Sequence, residues 1–553
     1  MPWHHNYAAL GNSLALTALV VAIPIAFLFW ALAYKRMRGH VAGVLTLLLT
    51  LVVTILVYRM PVTVGVSAAC LGIVTGLFPL CWIIVTAVFM YNLTVEAGQF
   101  EVLKSSISAL STDRRMQALL IGFCFSAFIE GVAGQGAPVA VAAAMLIGLG
   151  FPPLPAAVLC LVANTPPVPF GPVGVPTLMM GTVTGMSTGT ISRAVGLDMT
   201  LMAMIIPFMT LVVLAGKQGL AVWPAALVTA LSYALTTLIV SQTGVAELPA
   251  ILSSFVSIVA LAIFLKFWQP KTIWRFPNDP VTDTVAQSRY TTAQVIKAWS
   301  PWLVLMLIMG IWGIPAFKKW IMGDLHWYAI IPRWPGLDGV VFRTAPIVAK
   351  PAKYAASYRW EFFTTPGTAM FLTSLVTMAI LKISPARGVK VFIKTFKQLR
   401  FALVTLASVI GIGFLANYSG MSYTLGLAFA VYTGMFFPLF SPVIGWLGVF
   451  LTGSVTSSAA IFGKLQQVTA TAIGLNPVLT TSANLFGGVM GKLISPQSIA
   501  VACAATGLVG RETDLFRGTI KYSVVLLVFT MLIVFMQAYL FPGIIPVDIT
   551  FKP

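Results

Sequence analysis

The sequence predicts an all-α protein: a polytopic transmembrane helical bundle of roughly 12–14 spans, arranged as two repeats with broken or re-entrant helices. Three observations carry that prediction. Hydrophobic residues make up 59% of the 553 and charged residues only 8%, with a mean hydropathy of +0.95, which leaves too little polar surface for a soluble chain of this length. Apolar stretches near the roughly 20 residues needed to cross a bilayer core recur from end to end. In two regions, 116–186 and 445–509, glycines and prolines interrupt the apolar pattern. No soluble domain of ordinary size fits between the spans, so residues 1–553 read as a single transmembrane transporter domain.

The first apolar stretch, Ser13 to Ala33, is followed by Lys35, Arg36 and Arg38 instead of a small-residue cleavage site, and reads as a retained first span. A second runs from Val41 to Val57. The basic loop between them, Tyr34 to His40, faces the cytoplasm by the positive-inside rule, which puts the N-terminus outside. A third span, Ala69 to Met90, leads to an internal loop with Lys104, Arg114 and Arg115, whose acidic Glu96, Glu101 and Asp113 read as a solvated face. Beyond the first broken region, spans return at Leu201–Leu214, Leu220–Val240 and Ile251–Leu265, and Arg193 and Asp198 read as a local ion pair. The stretch Lys266 to Lys297, with Asp279 and Asp283, is internal; Trp302 to Ile314 crosses outward. Residues 316–363, rich in Trp, Tyr and Pro, suit an external interfacial segment. Thr368 to Leu381 returns inside, where Lys382, Arg387, Lys390, Lys394, Lys397 and Arg400 interleave with Val389, Val391, Phe392 and Phe396, the pattern of an amphipathic helix on the inner surface. A basic loop, Arg511 to Lys521, precedes the last span, Tyr522 to Leu540.

A net charge of +19 would point to nucleic acid in a soluble protein. Here the basic residues occupy loops, where they set orientation and meet anionic lipid, so the bilayer is the expected partner and nucleic acid is not. Cys70, Cys81, Cys124, Cys160 and Cys503 lie in apolar stretches without metal or disulfide spacing and read as small core residues. His4, His5, His40 and His326 lie outside the spans, and no HExxH, paired carboxylates or Ser/His/Asp grouping occurs within one. An enzyme, a bound metal and a cofactor are therefore not expected. A receptor is not expected either, since no soluble signalling domain is visible.

Chemistry concentrates at Phe128-Ile129-Glu130-Gly131-Val132-Ala133-Gly134-Gln135-Gly136-Ala137-Pro138, where the one acidic residue deep in an apolar stretch precedes a Gly-rich break. An ionisable residue near the bilayer centre costs roughly 2.5–3.5 kcal/mol on insertion scales, which marks it as functional. Burial favours the neutral carboxyl form, so Glu130 is the candidate proton-coupling group. Gly131, Gly134 and Gly136 form the break after it, and Asn164 and Thr165 open a Pro-rich second one. The second region holds Thr452, Gly453, Ser454, Thr456, Ser457 and Ser458, then Asn484, Lys492, Ser495 and Gln497. Superposing Asn164 on Asn484 also superposes Gly171 on Gly491 and Pro176 on Pro496, so the order of break, apolar run and Asn-led break occurs twice. Gly- and Pro-interrupted segments in corresponding halves point to a transporter's binding site. A helix broken in the membrane presents free N–H groups and the positive dipole end, which attract a carboxylate. Ser and Thr hydroxyls and Asn amides add neutral donors; the alternative is that they cap helix ends and hold spans together. Lys492, the one basic residue in the second break, can pair with a substrate carboxylate or with Glu130.

Phe128 to Ala140, Gly445 to Ser458, Asn417 to Gly420 and Gly487 to Glu512, including the run Gly491-Lys492-Leu493-Ile494-Ser495-Pro496-Gln497-Ser498-Ile499-Ala500, closely resemble the lactate permease family over nearly the whole chain. The resemblance implies a multi-pass protein of the bacterial inner (cytoplasmic) membrane that imports lactate or glycolate, a 2-hydroxymonocarboxylate, together with a proton. Two of these motifs depart from the family pattern. Gln135 stands where Phe is usual, and Val455 and Ala459 stand where the pattern Thr-Gly-Ser-Asp-Thr-Ser-Ser-Asn has Asp and Asn. The missing aspartate makes a uniporter, or a sodium-coupled carrier of another small organic anion, the alternative reading.

Overall fold

The computed structural model describes residues 2–35, 37–134, 136–276, 290–323, 329–331 and 333–549. Arg36, Gln135, Asp279, Asp283 and His326 lie outside the described residues. Among the described residues, ten helical stretches are long and apolar enough to cross a membrane, and three shorter apolar helices accompany them.

The N-terminal half contains α1 (Leu14–Leu32), α2 (Gly39–Tyr58), α3 (Val62–Glu96) and α4 (Arg114–Val132), then the short α5 (Ala137–Gly148) and α6 (Pro153–Ala163). It continues with α7 (Val175–Thr184) and α8 (Thr188–Ala215). After a reversal at Gly216, α9 (Trp223–Gln242) folds back along α8, and α10 (Pro249–Phe267) follows. The C-terminal half contains α11 (Thr292–Gly313), α12 (Pro366–Ile380), α13 (Pro385–Ser419), α14 (Met421–Thr433) and α15 (Phe437–Thr452). It ends with α16 (Val455–Ala472), α17 (Pro477–Lys492), α18 (Pro496–Thr506) and α19 (Glu512–Tyr539). Helix, break, helix, helix, break, helix, helix is thus the order in both α4–α8 and α15–α19.

Lipid-facing apolar residues give no drive for helices to associate in a bilayer, so the spans meet through small residues and close packing. Where α3 crosses α13, a Cβ on Gly72 would lie 2.8 Å from the Gly411 Cα, so only glycine allows the approach. Within α3, Phe78 leaves helical geometry (φ −140°, ψ 128°) just before Pro79, whose ring cannot continue the helical ladder. The helices of the two broken regions are sheathed by others: Glu130, Asn164 and Asn484 are all buried, whereas α1 and α9 leave Leu19 and Ile239 exposed on the outer face.

The segment expected to lie outside contains short strands. β1 (Trp3–His4) pairs in parallel with β3 (Val341–Arg343), which pairs antiparallel with β4 (Ala352–Lys353); β2 (Ala329–Ile331) pairs antiparallel with β5 (Tyr358–Trp360). This clasp is closed by His5, whose Nε2 donates to the Tyr418 carbonyl at 2.9 Å while Nδ1 accepts from the Tyr7 hydroxyl at 3.2 Å. Burial pushes the His5 imidazole down to about 4 from 6.5, with the nearby charges of Arg343 and His4 acting the same way and the bond to Tyr418 opposing them. The undocked arm therefore binds more protons than the docked one between those values. Docking is at full strength above pH 6.5 and weakens as the pH falls towards 4, by about 1.4 kcal/mol per unit. With the pH dependence of intrinsic exchange divided out, the protection of the amides at Trp3 to Tyr7 is expected to be lower at pH 5 than at pH 7, and the His5→Phe variant is expected to lose that dependence.

Four expectations from the sequence need correction. Asp113 is not on a solvated face: it is buried, caps the start of α4 and pairs with Arg115 at 2.7 Å, because the chain near Thr272 and Trp274 folds over it. Arg193 and Asp198 do not pair, since residues five apart on one helix point to different faces. Arg193 donates to the Gln242 carbonyl at 3.1 Å, and buried Asp198 accepts from Gln537 Nε2 at 2.8 Å. The basic block forms no separate surface helix but begins α13, tied to α3 by the Arg387–Glu96 ion pair at 3.0 Å and by Asn92 donating to Thr395. Residues from Glu512 onward in the expected last loop are already helical in α19.

Candidate substrate site between the helix breaks

The first break begins where α4 ends at Val132. Gly134 (φ +54°) and Gly136 (φ +83°) take the left-handed conformation that turns the chain into α5, a geometry favouring glycine. Asn164 caps the C-terminal end of α6, and the Pro-rich stretch up to Gly174 then passes alongside α4, where Val173 N–H donates to the Gly131 carbonyl at 2.8 Å. In the second region α15 ends at Thr452, Gly453 (φ +70°) turns the chain, and the Ser454 hydroxyl accepts from Ser457 N–H at the start of α16. Ser495 caps α18 in the same way, accepting from Ser498 N–H at 3.2 Å.

These two breaks bring three of the expected residues into direct contact. Lys492 Nζ donates to Glu130 Oε1 at 2.8 Å, and Asn164 Nδ2 donates to Glu130 Oε2 at 2.8 Å. Ser126 in turn donates to Asn164 Oδ1 at 3.4 Å, which orients the amide. The Glu130 side chain is 3% exposed and that of Lys492 15%, so the lysine is the member of the pair open to a cavity. A residue with a side chain at position 171 would not fit: its Cβ would lie 2.7 Å from the Glu130 carbonyl and 2.9 Å from Oε1. Gly171→Ala is expected to push the carboxylate off Lys492 and reduce uptake at least tenfold with the protein still folded, as read by uptake and melting of the same preparation.

Beside the pair lies a cavity of about 60 Å³. At about 10–15 Å³ per water-sized group it holds some four to six such groups, the size class of a two- or three-carbon hydroxy acid. Its wall contains the first residues of four helices: Gly136 before α5, Pro176 in α7, Ser454 to Thr456 at α16, and Gln497 and Ser498 in α18. Each N-terminus contributes partial positive charge and amide donors without intrahelical partners. Among the described residues, Glu130 is the sole carboxylate lining this cavity, and Val455 lies in its wall. Ser454, Thr456 and Gln497 also line a vestibule of about 880 Å³, which His40, Phe401 and Glu512 border at the end carrying the basic loops.

The remaining candidates divide by position. Gly136, Gly453, Ser454, Thr456 and Gln497 line the small cavity, and Thr452 and Ser457 line the vestibule. Thr165 lies behind the pair with Asn164. Gly131 faces α10, where a Cβ would crowd Ile251 at 3.0 Å, and Gly134 packs on Pro172. Ser458, Asn484 and Ser495 are not brought to the cavity. Ser458 donates to Asn484 Oδ1 and to the Gly445 carbonyl, both at 3.4 Å, joining α16, α17 and α15, while Ser495 serves as a cap. Asn164 and Asn484 are also unlike in setting, since one caps a helix and the other lies inside α17. Sequence reasoning missed Gly171, Ser498 and Val501 in the cavity wall. Gly171 lay in the matched Pro-rich stretch and Ser498 beside Gln497, whereas Val501 gave no polar signal.

Residues 17–541 match the family described as L-lactate permease. The chain belongs to the L-lactate permease family. The L-lactate permease of Bacillus subtilis is 44% identical, covering 99% of this chain and 100% of that protein. The L-lactate permease of Salmonella typhimurium is also 44% identical, over 98% and 100% respectively. The glycolate permease GlcA of Escherichia coli is 44% identical over 98% of this chain and 99% of its own length. Among solved structures, Neisseria gonorrhoeae MtrF, described with a class of antimetabolite efflux pumps, aligns over 84% of this chain and 82% of its own at 13% identity and a TM-score of 0.45. A permease of this family is a multi-pass membrane transporter and not an enzyme, in keeping with the apolar spans.

Proposed function

We propose that this permease is a secondary active transporter of the bacterial inner membrane that imports lactate, or the related glycolate, by proton symport through a site formed jointly by the two broken regions. The observation that supports it is the meeting of four helix N-termini and Lys492 at one small cavity whose lining carboxylate, Glu130, already holds the lysine.

The charge balance of that site couples the two ions. With Glu130 ionised, the pair is neutral, and bringing a carboxylate into so buried a place adds an uncompensated charge, which is costly at low dielectric. A proton taken up on Glu130 releases the Lys492 ammonium to pair with the incoming carboxylate. Proton and anion then add no net charge. Asn164 Nδ2 can donate to the remaining carbonyl oxygen of the neutral acid, so Glu130 stays in place in both states. Loss of the proton restores the Glu130–Lys492 pair and expels the substrate. The helix N-termini and the hydroxyls of Ser454 and Thr456 supply donors for the carboxylate and the 2-hydroxyl group.

Val455 favours one second reading, a uniporter or a sodium-coupled carrier, because a usual family carboxylate is missing from this wall. Radiolabelled lactate and glycolate uptake by the purified protein in proteoliposomes separates the two. Accumulation is expected to follow an imposed inward proton gradient and to ignore a sodium gradient; dependence on sodium alone would overturn the proton mechanism.

A further inference from the structure

We propose that the permease has a second anion-binding site, at the opposite end of α16 from the vestibule, where Lys464 receives the carboxylate of a small 2-hydroxy acid before it reaches Glu130 and Lys492. This inference rests on the substrate class proposed above. The site is a cavity of about 460 Å³ lined by Lys464, Gln467, Tyr423, Arg343, Ile347 and Val431, among others. Arg343 ends β3 in the clasp that also holds the N-terminus, the face expected to be outside, and Val431 is 67% exposed at the same cavity.

The donor set at its inner end is built for an anion. Lys464 is 7% exposed, and its ammonium has only neutral partners: Gln467 Oε1 at 2.7 Å, the Thr184 carbonyl at 3.3 Å and the face of the Tyr423 ring at 5.4 Å. Among the described residues no carboxylate forms an ion pair with it, and none lines the cavity. Gln467 is 1% exposed, and with its oxygen accepting from Lys464 its Nε2 donor is left without a partner. Arg343 Nε is likewise buried and unpartnered. A buried ammonium and two idle donors around one cavity form a set that a carboxylate completes and a cation does not. The position also suits transfer. Lys464 and Thr456 lie eight residues apart on one helix, about 12 Å, so α16 carries one donor set at its N-terminus and a second from its middle onward, and the Thr184 carbonyl that holds Lys464 belongs to α7 of the first broken region.

Thiol labelling reads this site without depending on transport rate. Cys70 is exposed, unlike the other four cysteines, which are buried as expected. In a Cys70→Ser background carrying Val431→Cys, maleimide labelling from outside is therefore expected to slow at least threefold with L-lactate or glycolate, with lactate uptake measured on the same preparation. Lys464→Gln is expected to abolish the protection and Lys464→Arg to retain it. Gln467→Glu, which places a carboxylate beside the ammonium at nearly constant volume, is expected to abolish it as well. Uptake by the parent protein with unchanged labelling, or protection that survives both Lys464→Gln and Gln467→Glu, overturns the second site and leaves the proposed function standing. Absence of uptake of either acid by the parent protein overturns both.

Discussion

Glutamine at position 130 is expected to abolish accumulation of lactate against its gradient while lactate–lactate exchange across the same proteoliposomes persists. The replacement keeps shape and the bond from Asn164, which donates to Glu130 Oε2 at 2.8 Å and can donate equally to an amide oxygen. It removes the carboxylate that pairs with Lys492, to which the lysine returns after each passage in the proposed cycle. Unpairing a buried charge costs about 3–5 kcal/mol, and every 1.4 kcal/mol is about tenfold. Release of substrate from Lys492 with nothing to replace it should therefore be slowed more than a hundredfold. Exchange avoids that step, because one carboxylate leaves as another arrives. Net uphill accumulation by Glu130→Gln at the parent rate would show that the proton binds elsewhere.

The second large effect is expected at Lys492. In Lys492→Met the cation that the proposed cycle gives to the substrate is gone, and Glu130 becomes a buried carboxylate with one remaining hydrogen-bond donor, Asn164. Exchange and net uptake should then fall together by about two orders of magnitude, again from the 3–5 kcal/mol of a broken buried pair. That joint loss distinguishes the lysine from the glutamate, whose replacement spares exchange. Stability offers an independent reading. Adding Glu130→Gln to Lys492→Met removes the unpaired charge, so the double variant should melt at a higher temperature than Lys492→Met alone while remaining inactive. A lower melting temperature for the double variant would mean that the pair contributes nothing to the folded state.

How much of this was legible beforehand depends on the kind of interaction. The apolar runs and the basic loops could be read because length and charge along the chain are local quantities that the bilayer sorts directly. Glu130 was legible for a similar reason: a carboxyl group within an apolar stretch is anomalous wherever it falls. The partnership with Lys492 is one of two that the sequence leaves open, because 362 residues separate the two side chains along the chain. Gly171 carried no signal of its function, since a missing side chain matters only when the Glu130 carboxylate is placed beside it. Asn484 misled in the opposite direction. Its match to Asn164 in sequence hid that one amide caps a helix beside the carboxylate and the other crosslinks helices out of reach of the cavity.

By itself the sequence determined that the chain spans a membrane, that two Gly- and Pro-interrupted regions break its helices, and that one carboxyl group lies at such a break, because hydrophobic length and forbidden backbone geometry act within a few residues. Only the tertiary structure decided which helix N-termini converge, which hydroxyls merely cap or crosslink, and that Lys492 rather than solvent neutralises Glu130. Those outcomes depend on how close two distant helices can approach, and small residues such as Gly171 set that distance in packing that no linear pattern records.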